Sequence, residues 1–266
     1  MKKNKAGSIA VMALVLIYLL IPLVVSIVYS MFDKWTGIVP EGFNLENYAT
    51  LFTDKAFLAT LGRTVAMCVI PICLTIIIVL LALFVTTIYF PKLEKYVQII
   101  CMIPYTIQGV ILSVSILSLY VSSPTFLSNR LVMLFGAYCI IILPYIYQGI
   151  RNGMRAVNMP MLIEAAEMLG SSKIYAFFKI VVPNILSAII VSSLLAVGII
   201  FGDYVLVRNL AGTSFPNMQI FLYQTMKSDS TKSSAVFVII MLVTFVITAV
   251  VLFFKSREAK GRVQKK

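Results

Sequence analysis

Residues that could perform chemistry are scarce in this sequence of 266 residues, which contains no histidine. That absence removes the commonest general base and the commonest ligand of transition metals. The four cysteines lie inside apolar runs without a Cys-x-x-Cys pair, so we interpret them as packing residues and expect no metal site. No Walker A pattern or other glycine-rich phosphate loop is present, so the chain is predicted not to be an enzyme.

The composition indicates an all-α integral membrane protein. Apolar residues make up 61% of the chain and charged residues 12%, against about 45–50% and about 25% in soluble domains. A soluble core of this length cannot bury so much apolar surface, which excludes a soluble globular enzyme. Uncharged runs long enough to cross a bilayer must be helical, because helices satisfy their own backbone hydrogen bonds in lipid. Six such transmembrane helices are predicted, over residues of about 8–32, 64–90, 97–120, 131–150, 184–203 and 233–254.

The positive charges are distributed unevenly between the segments that join these runs. If the N-terminus is cytoplasmic, 15 of the 22 Lys and Arg residues fall in cytoplasmic segments, together with four acids. The remaining segments carry a net charge of only +1. The positive-inside rule therefore predicts that the N- and C-termini are both cytoplasmic, and it explains the basic composition without nucleic acid. We expect residues 1–266 to form a single transmembrane domain with a long cytoplasmic loop over residues 151–183.

Polar residues inside the predicted spans are few, and one of them, Asp203, is ionisable. An ionisable group within a span is a candidate functional residue. Asp203 could line a solute path, where a carboxylate would favour a cation, or it could lie at the interface, hydrated or paired with Arg208. Ser192 is predicted to share a helical face with Asp203. In the third span, Gln108 and Ser115 share a face that could also line the path.

The long cytoplasmic loop contains the most informative pattern. Asn158 and Pro160 are typical of a helix start, and Gly170 is typical of a left-handed helix end. Ser171 or Ser172 can then cap a second short helix. The first helix is predicted to have an apolar stripe formed by Leu162, Ala165 or Ala166, and Leu169. Two short helices joined at Gly170 would either shield the membrane helices or dock a cytoplasmic partner.

The same loop resembles the signature loop, or EAA motif, of permease subunits in binding-protein-dependent ABC importers. That family has the pattern Glu-Ala-Ala, three residues, Gly, nine residues, Ile-x-Leu-Pro. The corresponding residues here have the same spacing, with valine in place of leucine, and they are Glu164, Ala165, Ala166, Gly170, Ile180, Val182 and Pro183. Six spans with cytoplasmic termini also resemble the type I importer permease fold.

The resemblance implies a role for each part of the chain. The loop would be a coupling helix that contacts a dimer of cytoplasmic ATP-binding subunits through Glu164, Ala165, Ala166, Gly170, Ser171 and Pro183. Those subunits would bind ATP and Mg²⁺, so this chain would need no cofactor. The spans would form the translocation path with a second, related permease subunit in the inner membrane of a prokaryotic cell. An extracytoplasmic solute-binding protein would deliver the solute.

Two further segments resemble particular parts of the family. Residues 44–52 resemble the segment before the second span and would face the solute-binding protein, or they form a plain connecting loop with a short amphipathic helix. Residues 201–223 resemble the spermidine/putrescine branch, so the solute is predicted to be a polyamine or similar small cation. A phosphonate, sugar or iron importer is the alternative within the family. An ATP-independent secondary transporter or channel is the alternative of another class.

Overall fold

The computed structural model describes residues 5–34, 41–107, 109–122, 126–212 and 214–263. These residues are mostly helical, as the sequence predicts. The α-helices are α1 (Lys5–Tyr29), α2 (Glu46–Thr53), α3 (Lys55–Ile88), α4 (Glu94–Met102), α5 (Gly109–Tyr120), α6 (Arg130–Ala156), α7 (Met159–Met168), α8 (Lys173–Ala176), α9 (Val182–Asn184), α10 (Leu186–Phe201), α11 (Met218–Ser228) and α12 (Ser230–Val263). Short 3-10 helices occupy Pro91–Leu93, Ile103–Thr106 and Phe126–Ser128, and π-helical turns occupy Phe177–Val181 and Val207–Ala211.

Four helical segments among the described residues are long and apolar enough to cross a membrane unaided: Val11–Tyr29, Lys55–Ile88, Arg130–Ala156 and Ser230–Val250. Two further candidate spans are bent pairs of helices. Pro91–Thr106 and Gly109–Tyr120 meet at 102°, whereas Lys173–Asn184 and Leu186–Phe201 meet at 66°. Counting each bent pair as one span gives six candidate spans, the number that the sequence predicts.

The first bend is a correction to the sequence prediction, which had one uninterrupted helix over residues of about 97–120. The second bend lies at the start of the predicted span 184–203, so most of that span is the single helix α10. Pro104 lies in the 3-10 turn that ends the first half of the third span, and Pro183 lies just before the bend in the fifth. A proline has no backbone N–H to donate, so the helical ladder is interrupted near it. In the fifth span, α10 ends at Phe201. Asp203 therefore lies beyond that helix, and the prediction that it shares a helical face with Ser192 is wrong.

The chain divides into two compact units. Their bounds are Met1–Thr60 with Ile220–Val243 for the first unit, and Leu61–Gln219 with Thr244–Lys266 for the second. In the first unit, strands β1 (Phe32–Lys34) and β2 (Glu41–Phe43) pair antiparallel, with Phe32 opposite Phe43. The rings of this cross-strand pair meet edge to face, with their centroids 5.8 Å apart. The sequence analysis did not predict this hairpin, whereas the short helix expected within residues 44–52 is present as α2.

Two aspartates of the first unit begin helices. Asp54 accepts a hydrogen bond from the backbone N–H of Ala56 at 2.8 Å, and its carboxylate pairs with Lys232 at 3.2 Å. Asp229 accepts from the backbone N–H of Lys232 at 2.9 Å. The hydrogen bonds from these backbone N–H groups are the main reason that the pKa of each carboxyl group is lower than its usual value. Helix capping thus fixes where α3 and α12 begin.

In the second unit, α6 supplies a buried face that runs along most of its length. Residues four apart lie on one side of a helix, and five such residues are at most 1% exposed: Leu134, Tyr138, Ile142, Ile146 and Ile150. α10 packs against α6. The four cysteines form no disulfide. Three of them lie in α3 or α6.

α6 and α10 approach each other through small residues. A Cβ added at Gly149 would lie 2.4 Å from the Cβ of Ser192, and one added at Gly153 would lie 2.6 Å from the Cβ of Ala188. Real Cβ atoms do not approach so closely, so only glycine fits at these two positions. Such small-residue contacts are a usual means of bringing membrane helices together, because lipid provides no hydrophobic force between them.

Candidate functional sites

The turn at Gly170 is formed as the sequence predicts. Gly170 has a left-handed backbone with φ of +82°. Its N–H donates to the carbonyl of Glu167 at 2.9 Å, and the N–H of Ser171 donates to the carbonyl of Ala166 at 3.0 Å. These two bonds are those of a Schellman motif, which satisfies the last carbonyls of α7. Because left-handed backbone is costly for residues with a Cβ, the turn depends on glycine.

The two helices of the loop begin in different ways. Ser172 caps α8 by accepting a hydrogen bond from the N–H of Tyr175 at 3.3 Å, which agrees with one of the two predicted caps. Pro160 occupies the first turn of α7, where its missing N–H costs nothing. Asn158 precedes α7 with a left-handed backbone, but its side chain makes no capping bond there. Asn158 therefore starts the segment as expected but does not cap α7 with its side chain, since a capping residue normally has an extended backbone. Its amide nitrogen contacts the sulfur of Met161.

The buried face of α7 differs from the predicted apolar stripe. Met159, Ile163 and Ala166 are buried, and α7 packs on the following segment, Lys173–Val181. Of the predicted stripe residues, Leu169 is exposed and Leu162 is half-buried, while Ala166, the alternative to the exposed Ala165, is buried. The prediction is therefore right for Ala166 and wrong for Leu169, because the packing partner of α7 decides which of its apolar residues are buried.

The opposite side of the loop exposes large apolar side chains beside small and acidic ones. Met168 is 88% exposed and Leu169 is 89% exposed. The other exposed residues on this loop include Met161, Glu164, Ala165, Glu167, Gly170, Ile174, Tyr175 and Pro183. Of the six residues that the resemblance assigned to the ATPase contact, Ala166 is buried, Ser171 is half-buried and the other four are exposed.

Phe177 joins the loop to the membrane helices. Its side chain is fully buried, and its ring lies 4.7 Å from the ring of Phe84 in α3. The Nζ of Lys173 also lies over the ring of Tyr89, 5.8 Å from its centroid. The neighbouring Phe178 is 47% exposed. The two adjacent phenylalanines thus have different environments, which the sequence does not distinguish.

Replacing Phe177 with leucine should lower the midpoint of thermal unfolding. The substitution keeps most of the apolar volume but removes an aromatic contact with Phe84, which is worth about 0.5–1.5 kcal/mol beyond its area. Phe178→Leu is the matched control: it removes the edge contact with Phe177 but keeps the contact of Phe177 with Phe84, so it should lower the midpoint less. Thermal unfolding of the two purified variants in the same detergent measures the difference. Equal midpoints for both variants would show that Phe177 does not anchor the loop.

A cavity of about 460 Å³ lies at the α6–α10 contact in the second unit. Its polar lining residues are Tyr105, Tyr145, Gln148, Asn152 and Ser192. The rings of Tyr105 and Tyr145 are tilted, with centroids 4.9 Å apart. The described lining residues include no charged side chain. The cavity therefore offers aromatic faces, amides and hydroxyl groups, which can hold a cation or an uncharged polar solute.

Asp203 lines a second cavity, of about 290 Å³. Its Oδ2 accepts hydrogen bonds from the hydroxyl of Tyr138 at 3.0 Å and from the N–H of Leu206 at 3.1 Å. Its backbone carbonyl accepts from the amide of Asn217 at 2.6 Å. Among the described residues Asp203 forms no ion pair with Arg208. The alternative in which Arg208 pairs with Asp203 is therefore wrong.

The structure describes three of the four residues predicted for the solute path and brings no two of them into the same cavity. Ser192 lines the larger cavity, and Asp203 lines the smaller one. Ser115 is exposed on α5 and lines neither cavity, while Gln108 lies outside the described residues. The sequence analysis missed Gln148 and Asn152. Their spacing of four residues within an apolar span was a signal that could have indicated a polar stripe on α6.

The described residues contain no group of three His, Cys, Asp or Glu side chains placed to hold a metal ion. What they contain is a set of apolar spans, cavities between helices that have some polar lining residues, and an exposed helical loop. This combination is that of a polytopic membrane protein.

Comparison with known proteins identifies the class. Residues 79–260 match the family model described as "Binding-protein-dependent transport system inner membrane component". The chain belongs to this family of ABC importer permease subunits. It is therefore a multi-pass protein of the bacterial inner membrane, and it is a transport subunit whose ATPase is a separate partner. Family membership also decides against the ATP-independent transporter or channel.

Curated relatives and solved structures agree with this assignment. The chain is 20% identical over 205 residues to PhnV of Salmonella typhi, named for 2-aminoethylphosphonate transport, with 76% of each chain covered. It is 24% identical to PotC of Haemophilus influenzae, a spermidine/putrescine transport system permease protein, covering 88% of this chain and 90% of PotC. A chain of a bacterial alginate ABC transporter, solved in complex with an alginate-bound periplasmic protein, has a TM-score of 0.69 at 17% identity. That match covers 95% of this chain and 93% of the other, and it establishes a shared fold.

Proposed function

We propose that the loop over residues 151–183 is the coupling element of this permease and that it docks on a cytoplasmic ATP-binding subunit. The observation that carries the proposal is the exposure of Met168 and Leu169 at the end of α7. Large apolar side chains at the surface of a polar loop usually mark an interaction site. Ala165 and Gly170 beside them would allow a partner to approach closely. The spacing from Glu164 to Pro183, which resembles the EAA motif, supports the same assignment.

The remaining partners and the orientation follow from this proposal. The excess of Lys and Arg in the loop and both termini supports cytoplasmic termini. A dimer of ATP-binding subunits would bind ATP and Mg²⁺, and its closure would move the loop between two packed states. A second permease subunit, related to this one, would complete the path. The periplasmic protein in the alginate complex supports delivery by a solute-binding protein, with α2 on the receiving side.

We propose further that the solute carries a protonated amine, as a polyamine does. Spermidine and putrescine, in the name of one relative, and 2-aminoethylphosphonate, in the name of the others, all contain an amino group. The larger cavity supports an amine, since its tyrosine rings can hold a cation and its described lining has no positive side chain to repel one. Asp203 would provide the negative charge in the smaller cavity.

Replacing Asp203 with asparagine should raise the KM for a cationic solute about tenfold, or about 1.4 kcal/mol. The amide oxygen of asparagine can still accept from Tyr138 and Leu206, so the substitution removes charge while keeping the hydrogen bonds. The measurement is uptake of labelled putrescine, 2-aminoethylphosphonate and a disaccharide by proteoliposomes that contain the complete importer. Tyr138→Phe is the control, since it removes one hydrogen bond but leaves the charge.

The result tests separately the chemical class of the solute, the role of Asp203 and the coupling role of the loop. ATP-dependent uptake of either amine with a KM that depends on Asp203 supports the amine-bearing solute. Uptake of an amine that Asp203→Asn leaves unchanged would remove Asp203 from the path. Uptake of the disaccharide alone would reject the amine, while leaving the coupling role of the loop in place.

A further inference from the structure

A cluster of two arginines and one glutamate lies beside the start of α7. Arg151 donates to Oε1 of Glu94 through Nε at 2.9 Å, and its Nη2 lies 2.8 Å from the same oxygen. Arg155 donates to the same oxygen through Nη2 at 3.1 Å. Two guanidinium groups therefore share one carboxylate, which leaves a positive charge uncompensated. That charge is accessible, because the side chain of Arg155 is 60% exposed whereas that of Arg151 is 15% exposed.

The cluster borders a cavity of about 270 Å³ that has a polar side and an apolar side. The polar lining residues are Thr87, Glu94, Arg151, Arg155 and Asn158, and the apolar ones are Leu83, Met154, Met159 and Pro160. Leu83 and Thr87 belong to α3, a candidate membrane span. An amphiphile with its anionic head at Arg155 would meet apolar lining at Leu83, Met154 and Met159.

We propose that this cavity binds the phosphate-bearing headgroup of an anionic phospholipid. A guanidinium group pairs with phosphate through two parallel hydrogen bonds. Arg155 donates only one hydrogen bond to Glu94, through Nη2, so its other N–H groups remain to bind a phosphate. Basic pockets between membrane helices near the surface are suited to such headgroups. Inorganic phosphate offers the same head chemistry but makes no use of the apolar lining or of α3. The site lies outside the proposed solute path and at the start of the coupling loop, away from Met168 and Leu169, which carry the docking proposal and do not line this cavity. Failure of the lipid site would therefore leave both earlier proposals in place.

The test is the thermal stability of the full-length chain, purified in detergent with the subunits that remain bound to it. Titration with phosphatidylglycerol should raise the midpoint of unfolding, because a ligand that binds the folded state stabilises it. Titration with phosphatidylcholine or inorganic phosphate should raise it little. Arg155→Gln should weaken the apparent affinity for phosphatidylglycerol about fivefold, or about 1 kcal/mol, since one positive charge near the membrane surface is worth that much.

Two further variants keep the test specific. Arg155→Lys retains the charge and should retain most of the affinity. Arg208→Gln removes an exposed arginine that does not line the cavity, and it should behave as the unmodified chain does. An equal shift with phosphatidylcholine, or an unchanged affinity in Arg155→Gln, would overturn the proposal. A shift of the same size with inorganic phosphate would reject the lipid and assign the site to a free anion.

Discussion

Replacing Gly170 with aspartate should reduce solute uptake to the level seen without ATP, while the chain still inserts in the membrane. The left-handed φ of +82° disfavours any residue with a Cβ by about 1–2 kcal/mol, although aspartate tolerates this region better than most. The space around Gly170 is open, so the chain itself does not exclude the new side chain. The main effect is therefore expected on docking, because a carboxylate would stand beside the exposed Leu169.

Gly170→Asn is the control for the charge. Asparagine has almost the same size as aspartate and adopts the left-handed conformation readily. It should therefore keep most of the turn and part of the uptake. The measurements are uptake by proteoliposomes, the amount of chain in the membrane fraction, and copurification of the ATP-binding subunit. Unchanged uptake and copurification in Gly170→Asp would show that the loop does not couple transport to the ATPase.

Replacing Gly149 with alanine should lower the stability of the chain by about 1–3 kcal/mol, which is typical of overpacking. The new Cβ would lie 2.4 Å from the Cβ of Ser192, so α6 and α10 would have to separate. The cavity that both helices line should change shape as a result, and uptake should fall with stability. Thermal unfolding in detergent and uptake by proteoliposomes measure the two effects.

Two comparisons isolate the contact between α6 and α10. Gly136→Ala changes a glycine of the same helix that has open space around it, so it should be neutral or should raise stability through better helix propensity. Ser192→Gly combined with Gly149→Ala removes the clashing Cβ and should restore stability. If Gly149→Ala behaves like Gly136→Ala, or if Ser192→Gly fails to rescue it, the close approach does not hold these helices together.

The local features of the loop were predictable from the sequence because neighbouring residues determine them. Gly170 follows from the need for a left-handed residue at the end of α7, and Ser172 follows from the preference for a side-chain oxygen before a helix. The long apolar helices were predictable in the same way, since a bilayer requires long apolar runs. Four of the described helices meet that requirement alone, and six candidate spans result when each bent pair counts as one. These signals depend on composition and on spacings of a few residues.

Features that depend on distant residues were not predictable. Tyr138 and Asp203 are separated by 65 positions, and their hydrogen bond depends on the way α6 meets the chain beyond α10. Phe177 and Phe178 have the same type and adjacent positions, yet only Phe177 meets Phe84. The bend after Thr106 also escaped the analysis, because mean hydropathy measures how apolar a run is and does not report its direction.

Small residues gave a signal that the sequence analysis overlooked. Gly149 and Gly153 have the four-residue spacing of a close helix contact, and Ala188 and Ser192 have the same spacing on the partner helix. Many glycine pairs with this spacing occur without a contact. The sequence alone would therefore have proposed a packing face on α6 without naming α10 as its partner.

The most direct test of the coupling role is photo-crosslinking from position 168, whose methionine is 88% exposed at the end of α7. A benzophenone amino acid placed there, in membranes that contain the complete importer, should form an adduct with a polypeptide that carries a Walker A sequence. The same amino acid at Phe126, 75% exposed in a loop predicted to be extracytoplasmic, should not. Mass spectrometry of the adducts identifies the partner. An ATP-binding subunit captured from position 168 and not from position 126 is the predicted result, whereas no such adduct from position 168, or equal capture from both, would contradict the account.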